Sequence, residues 1–368
     1  MGNRQFFIGL MSGTSLDGID AVLLTTNDNG QFELVDALEY AIPPELHKTV
    51  RALCLPGDNE IFRLGKADRE LAMCYAEACQ RLLKNNALTA NQITAIGCHG
   101  QTIRHSPNTE IAFTLQIGDP NTLAMLTRIT TVADFRRRDI AAGGQGAPLA
   151  PLFHEAFFAS SKHNRAVINI GGIANISILS TNCDLLGYDS GPGNVLMDEW
   201  INKHKHKPYD YQGQWASTGA IDRALLSRLM KEPFLTSPYP KSTGRELFNL
   251  SWLEQHLHGN ENPANVQATL LELTAQSIAT EIKNTKDPIQ AVYLCGGGAY
   301  NTQLTLRLEA LIHPTILATT KVLGIEPEWV EAVGFAWLAK QTLDAKAVKT
   351  KNVTGAQKNQ VLGAIFHA

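Results

Sequence analysis

Residues 6–24 constrain the fold of this chain more than any other stretch. Two apolar runs, at 6–11 and 19–24, flank a polar connection that contains Gly13 and Gly18. Apolar runs of this length with a short glycine-bearing connection predict a β-hairpin. The tip also carries three hydroxyl side chains and two carboxylates. It is either an ordinary turn or a nest of backbone N–H groups for an anion, and the tip alone leaves both open.

The same order of segments begins again in the second half. Residues 167–170 form an apolar strand, 171–175 a glycine-bearing turn and 176–179 the return strand. A third strand follows in each half, so the repeat rests on the pattern, although identity between the halves is low. Strands followed by alternating helices and strands indicate an α/β architecture. Two such halves with facing glycine tips would hold a nucleotide in the cleft between them.

A polar, glycine-rich segment separates the two halves, and the last residues of the chain return to an apolar and glycine-rich pattern. We therefore expect an N-terminal domain of residues 1–133, completed by the segment 345–368. Residues 134–344 are expected to form the second domain.

Composition narrows the class of protein. The 368 residues are 44% apolar and 18% charged, as in a globular protein of about two domains. The net charge of −3 argues against nucleic acid or a membrane surface as partner. No signal-type segment, apolar run of transmembrane length or CxxC pair is present. We expect a cytoplasmic protein with reduced, buried thiols and neither disulfides nor a zinc site.

Four glycine-rich tips each follow a buried strand, at 12–18, 171–175, 189–194 and 296–301. Ligands of open α/β sheets bind at the carboxyl ends of strands, so four such tips in one chain favour a binding site over turns alone. The chain has no GxxxxGK[ST] motif and no GxGxxG after a strand. It is therefore neither a P-loop enzyme nor an obvious dehydrogenase.

A set of motifs along the whole chain resembles the anhydro-N-acetylmuramic acid kinase family. They follow the family's order: MSGTSLDGID, GCHGQT, LQIGD, DFRRRDIAAGGQGAPL, NIGGIAN, YDSGPGN, PKSTGRE, VQAT, CGGGAYN and VLGAIF. The resemblance implies a duplicated actin-like (ribonuclease H-like) α/β fold of two domains with a central interdomain cleft. It also implies a kinase that uses ATP, Mg²⁺ and water to open 1,6-anhydro-N-acetylmuramic acid, which yields N-acetylmuramic acid 6-phosphate during cell-wall sugar recycling.

The resemblance assigns the first tip and the turn after residue 170 to the phosphates of ATP, and the tip at 296–298 to adenosine. The residues so assigned are Ser12, Gly13, Thr14, Ser15, Leu16, Asp17, Gly18, Ile19, Asp20, Gly171, Gly172, Gly296, Gly297 and Gly298. The acidic residue that the wider superfamily carries before its first glycine–threonine pair is absent, since Met11 and Ser12 stand there. The magnesium ligands stay open among Asp17, Asp20, Asp189 and water-mediated contacts.

Asp189 is the candidate catalytic residue. It follows a buried strand and lies among glycines that leave room for a substrate. By resemblance, the family's general base sits in this YDSGPGN motif, where a carboxylate near the anomeric carbon would activate water. Without the resemblance, a helix cap would be the preferred interpretation.

The resemblance also suggests residues for the sugar. Arg136 would bind the lactyl carboxylate of the substrate in a bidentate manner, although a run of arginines is more often a solvated loop. His99 and Gln101 follow a buried strand and would bind sugar hydroxyls or the N-acetyl group, with a structural histidine as the alternative. Glu331 would face the sugar, or would only favour the dipole of the last helix.

Two other functions stay open at this point. One is another hexose or amino-sugar kinase of the same superfamily, whose aspartate would deprotonate a sugar hydroxyl. The other is a nucleotide-binding protein without sugar-dependent turnover. The resemblance further suggests a homodimer, which the residues themselves do not indicate.

Overall fold

The computed structural model describes residues 4–13, 16, 18–27 and 30–368. The chain divides into two compact units. Unit 1 consists of Met1–Phe153 and Trp329–Ala368, and unit 2 of His154–Glu328. Residues 134–153 and 329–344, which the sequence pattern placed with the second domain, thus lie in unit 1.

In the described residues, the strands are β1 (Phe6–Met11), β2 (Ile19–Thr26), β3 (Phe32–Tyr40), β4 (Ile93–Cys98), β5 (Gln101–Ser106), β6 (Phe113–Ile117), β7 (Thr131–Ala133), β8 (Arg165–Ile170), β9 (Ile173–Leu179), β10 (Leu186–Pro192), β11 (Ala291–Cys295), β12 (Ile316–Thr319) and β13 (Ala364–Phe366). The α-helices are α1 (Pro44–Leu53), α2 (Glu60–Asn85), α3 (Pro120–Thr127), α4 (Phe135–Ala141), α5 (Ala150–Phe158), α6 (Val195–Lys205), α7 (Arg223–Leu229), α8 (Pro233–Thr236), α9 (Leu250–Glu254), α10 (Pro263–Lys283), α11 (Thr302–Ile312) and α12 (Val330–Leu343).

The sheet of unit 1 has the strand order β13-β7-β4-β1-β2-β3. The hairpin β1–β2 and the pair β2–β3 are antiparallel, whereas β1, β4 and β7 run parallel. Helix α12 lies directly on β1 and β4. A Cβ on Gly9 or Gly97 would lie 1.9 Å from a carbonyl oxygen of this helix, so only glycine permits so close an approach.

The sheet of unit 2 has the order β10-β9-β8-β11-β12. Again the first hairpin, β8–β9, and the pair β9–β10 are antiparallel, and β8, β11 and β12 run parallel. Five strands of unit 1 and the five strands of unit 2 therefore share one topology. The predicted duplication of an α/β unit is confirmed, and each unit has its own apolar core.

Several elements differ from the sequence prediction. The hairpin β5–β6, the edge strand β12 and the short helix α8 were not predicted. Polar residues interrupt β5, β12 has only 4 residues, and α8 begins with a proline. Helix α4 falls in the segment that was interpreted as a polar junction. Its Phe135 and Asp139 are buried, and the Asp139 carboxylate accepts hydrogen bonds from Gly146 N–H (2.7 Å) and the Thr354 hydroxyl (2.7 Å). These tertiary contacts account for a helix that the sequence pattern did not predict.

All six cysteines lie in the described part of the chain and carry thiols rather than disulfides. Cys74, Cys79, Cys98 and Cys295 are buried, as predicted, whereas Cys54 and Cys183 are exposed. Burial raises the pKa of the Cys98 thiol to about 12, so this thiol keeps its proton. No helix among the described residues has both the length and the apolar character that a membrane span requires.

Candidate active site

Two of the predicted glycine segments are joined by backbone hydrogen bonds in unit 2. The Gly171 carbonyl accepts from Asn194 N–H (2.8 Å), and the Gly172 carbonyl accepts from the N–H groups of Gly193 (2.9 Å) and Val195 (3.1 Å). The turn after β8 is thus fastened to the loop between β10 and α6.

The third glycine segment of unit 2 lies at the same edge of the sheet, because β11 runs parallel to β8. Gly296 has a left-handed φ of +76° and donates its N–H to the Pro327 carbonyl (3.0 Å). A Cβ on Gly298 would lie 2.2 Å from the Cγ2 atom of Ile170, at the end of β8. The structure therefore brings the loops at 171–172, 193–195 and 296–298 together.

Parts of these loops have backbone that is open to a ligand. A Cβ built on Gly171 or Gly172 meets its nearest neighbour only at 3.7 or 3.8 Å, and one on Gly297 meets no described atom within 4 Å. Backbone without side chains can approach phosphate or sugar atoms closely. The three loops of unit 2 thus present open backbone at one edge of the sheet.

Asp189 lies within β10 and is only 8% exposed. Its N–H donates to the Lys241 carbonyl (3.1 Å), and its Oδ2 accepts from the Thr243 N–H (2.9 Å). The pairing of β10 with β9 shifts register between Asp189 and Gly191, and such irregularities re-aim side chains. The N-cap of α6 is Asn194, so Asp189 is not a helix cap. The local fold holds one oriented, buried carboxylate beside the glycine loops.

In unit 1, Arg136 and His99 form a defined pair. Arg136 donates from Nε to His99 Nε2 (2.7 Å) and from a terminal nitrogen to the Gly146 carbonyl (2.8 Å). Because arginine only donates, His99 Nε2 is the acceptor, so the ring proton lies on Nδ1, 2.6 Å from the Gly100 carbonyl oxygen. Burial and the Arg136 charge hold the pKa of His99 well below its usual value. His99 is therefore a neutral residue that orients Arg136.

Glu331 lies in the first turn of α12. Burial raises the pKa of its carboxyl, and the charge of Arg136 acts in the opposite direction. The His99 ring packs on Phe335 of the same helix, with 4.7 Å between ring centroids. His99, Arg136 and Glu331 thus form one cluster, which we call the unit 1 cluster.

Gln101 is buried at the start of β5 and donates from its side-chain nitrogen to the Thr102 carbonyl (3.2 Å). Its side-chain oxygen has no hydrogen-bond partner among the described residues. A buried acceptor without a partner is the expected state of a residue that meets a ligand donor.

The first glycine tip differs in part from the expectation. The Ser12 hydroxyl is buried, lies 2.6 Å from the Tyr75 hydroxyl and donates to the Gly100 carbonyl (3.4 Å). The side chains of Leu16 and Ile19 are in the apolar core. The interior thus holds these three side chains, and the contact of Ser12, Leu16 and Ile19 with the phosphates stays a prediction.

The other described residues of this tip are Gly13, Gly18 and Asp20. A Cβ on Gly18 would lie 2.6 Å from Glu39 Oε1, and Gly13 accepts a backbone hydrogen bond from Leu16 (3.1 Å). Asp20 lies on β2 opposite Met11 and Glu39. Thr14, Ser15 and Asp17 lie outside the described residues.

No group of three or more histidine, cysteine, aspartate or glutamate side chains suited to a metal ion occurs in the described ranges. A Mg²⁺ ion that is held mainly by nucleotide phosphates and water needs only one or two carboxylates, so it does not require such a group.

The contacts of Asp189 with Lys241 and Thr243 were not predicted from the sequence. Lys241 to Thr243 belong to the PKSTGRE motif, which was recognised without a role. Only the fold places this segment beside β10, and no spacing rule links it to Asp189.

Comparison with known proteins gives a consistent result. A family model described as anhydro-N-acetylmuramic acid kinase matches residues 5–368. The anhydro-N-acetylmuramic acid kinase of Shewanella amazonensis is 48% identical over 369 residues and covers 100% of both chains. That of Coxiella burnetii is 48% identical over 366 residues, with 99% and 98% covered. A ROK family glucokinase from Streptomyces griseus, solved with glucose and AMPPNP, is 13% identical with a TM-score of 0.41. The match covers 91% of this chain and 99% of the glucokinase chain. The chain belongs to the anhydro-N-acetylmuramic acid kinase family.

Proposed function

We propose that this chain is a cytoplasmic kinase that uses ATP and water to open 1,6-anhydro-N-acetylmuramic acid and to phosphorylate O6. The products would be N-acetylmuramic acid 6-phosphate and ADP. The observation that carries this proposal is the family match across the whole chain. The carboxylate of Asp189 also supports the proposal, because the Thr243 N–H holds it in one orientation.

Asp189 is the proposed general base. Its carboxylate would take a proton from water while the water oxygen bonds to C1 of the sugar, and the bond between C1 and O6 breaks. O6 is then the nucleophile toward the γ-phosphorus, and ADP leaves. The Thr243 N–H would keep the carboxylate in one orientation during these steps.

The glycine loops of unit 2 are the proposed nucleotide cradle. Gly171 and Gly172 would approach phosphates, and Gly296 to Gly298 would approach adenosine, because these stretches combine open backbone with close packing on β8. Ser12, Gly13, Leu16, Gly18, Ile19 and Asp20 of unit 1, with Thr14, Ser15 and Asp17, remain proposed phosphate contacts, and those of Ser12, Leu16 and Ile19 would be made through the main chain. Bound Mg²⁺ would offset phosphate charge, and Asp17, Asp20 and Asp189 are the side chains proposed to approach it, directly or through water.

The unit 1 cluster is the proposed sugar site. Arg136 would bind the lactyl carboxylate, since a guanidinium that is already oriented by His99 and Gly146 loses little freedom on binding. Glu331 and Gln101 would bind sugar hydroxyl or amide groups.

The variant Asp189→Asn tests the proposed base. The amide keeps the shape of the carboxylate but cannot accept the proton, so we expect kcat to fall about 100- to 10,000-fold. The affinity for ADP, measured without Mg²⁺, should stay within about twofold, because the nucleotide cradle is unchanged. Turnover is measured as sugar-dependent ADP release and affinity by calorimetry.

The matched control is Asp184→Asn, at an exposed carboxylate just before β10, which should leave kcat unchanged. Retained turnover in Asp189→Asn would remove that residue from the role of base. Equal phosphorylation of N-acetylmuramic acid and its 1,6-anhydro form would instead favour the ordinary hexose or amino-sugar kinase.

A further inference from the structure

The Lys241 side chain is buried in unit 2, with 5% of its surface exposed. Its ammonium donates to Glu281 Oε1 (2.8 Å) and to the carbonyls of Phe234 (3.2 Å) and Leu235 (3.3 Å). These three acceptors match the three donors of an ammonium group. The Lys241 ammonium therefore links the segment after α8 to α8 itself and to Glu281.

The partner carboxylate has a second contact. Glu281, on α10, is 14% exposed and accepts from the Tyr188 hydroxyl at Oε2 (3.1 Å). Burial and the Glu281 charge raise the pKa of Tyr188, so its phenol remains a donor. Tyr188 immediately precedes Asp189 in β10.

The same segment holds Asp189 through its backbone. The Lys241 carbonyl accepts from the Asp189 N–H, and the Thr243 N–H donates to the Asp189 carboxylate. The group that contacts the Asp189 carboxylate is a backbone N–H, so its position depends on the contacts that hold residues 241–243 in place. The Lys241 ammonium makes three of these contacts.

We propose that Lys241 and Glu281 are positioning residues for Asp189: their ion pair fixes residues 241–243 against β10 and thereby orients the Asp189 carboxylate. The inference rests on the proposed role of Asp189 as base. A purely stabilising role accounts poorly for the pair, because buried ion pairs are often no more stabilising than apolar side chains of similar size.

The same helix α10 carries a second ion pair that serves as a control. Glu272, 2% exposed, pairs with Arg307 of α11 through two hydrogen bonds of 2.6 and 2.7 Å. It is an ion pair of the same charge type, although Arg307 is 38% exposed, and its hydrogen bonds join α10 to α11 rather than to the 241–243 segment.

The first test compares Lys241→Met with Arg307→Met. In Lys241→Met we expect kcat per folded molecule to fall about 10- to 100-fold, because a carboxylate displaced by an ångström loses rate on that scale. The KM for ATP and the affinity for ADP should stay within about twofold. Arg307→Met should lose stability while its kcat per folded molecule stays within about twofold.

Two further variants test the same proposal if Lys241→Met folds poorly. Tyr188→Phe removes only the hydroxyl that donates to Glu281, and we expect kcat to fall about 2- to 5-fold with KM unchanged. In Lys241→Met/Glu281→Leu an apolar pair replaces the ions, which should allow folding, yet kcat should stay low.

The proposal is overturned if kcat per folded molecule in Lys241→Met, or in the apolar pair variant, equals that of the parent enzyme. It is also overturned if Lys241→Met and Arg307→Met change kcat and KM alike. Failure of the base itself is seen separately: an active Asp189→Asn contradicts the proposed role of Asp189 as base, whereas an inactive one together with an active Lys241→Met contradicts only the positioning role.

Discussion

His154 is fully buried in unit 2, where its Nδ1 lies 2.7 Å from the Ser177 hydroxyl oxygen. Burial lowers the pKa of this histidine to about 3. In the unfolded chain the pKa is close to 6.5, so the unfolded state binds a proton in a range where the folded state does not. The free energy of unfolding therefore falls as pH falls below about 6.5, by about 1.4 kcal/mol per pH unit from this residue, down to about pH 3.

We predict that His154→Gln weakens this pH dependence. Between about pH 7 and about pH 5 the parent protein should lose about 2 kcal/mol more than the variant, measured by urea unfolding. Asp68, Asp139 and Glu331, whose pKa values are raised, act in the opposite direction but are present in both proteins. The exposed control His163→Gln should keep the parental slope. Equal slopes in His154→Gln and the parent would show that folding does not shift the pKa of His154.

For single residues, the sequence predicted which side chains lie in the site better than it predicted the hydrogen-bond partners of those side chains. Resemblance selected Arg136, His99 and Glu331, and the fold places all three in one cluster. The Nδ1 tautomer of His99 and the inward direction of the Ser12 hydroxyl depend on Arg136 and Tyr75, which are distant in sequence. The residues next to His99 and Ser12 in the sequence do not predict partners so far away in the chain.

Among the elements, α12 packs closely on β1 and β4, because Gly9 and Gly97 carry no side chain. We predict that Gly97→Ala destabilises the protein by about 1–3 kcal/mol, since a Cβ there would lie 1.9 Å from the Phe335 carbonyl oxygen and the helix must shift. The measurement is urea unfolding at neutral pH.

The matched control is Gly65→Ala, at an exposed site in α2 where a Cβ would have no described neighbour within 4 Å. This variant should be more stable by about 0.5–1 kcal/mol, because alanine favours the helix. A neutral Gly97→Ala would mean that α12 can move away from the sheet at no cost.

At the scale of the whole molecule, unit 2 is one continuous segment with its own core, whereas unit 1 needs two segments. We predict that a fragment of residues 154–328 unfolds cooperatively by circular dichroism. A fragment of residues 1–153 should not, because it lacks α12 and β13, the antiparallel partner of β7.

Residues 1–153 joined to 329–368 by a short glycine–serine linker form the control. The Phe153 and Phe335 rings lie 6.3 Å apart, so the two segments meet near the junction and the joined fragment should regain cooperative unfolding. Cooperative unfolding of residues 1–153 alone would contradict this division of the chain.

By itself the sequence determined the two hairpins, the repeat and the family, because apolar runs, glycine turns and extended motifs are local signals. Only the tertiary structure decided that 134–153 and 329–344 belong to unit 1, that the interior uses Ser12, and that Lys241 lies behind Asp189. These facts depend on pairs such as Lys241 with Glu281, which are distant in the chain. Such pairs form when separate elements pack, so no periodicity or spacing along the sequence predicts them.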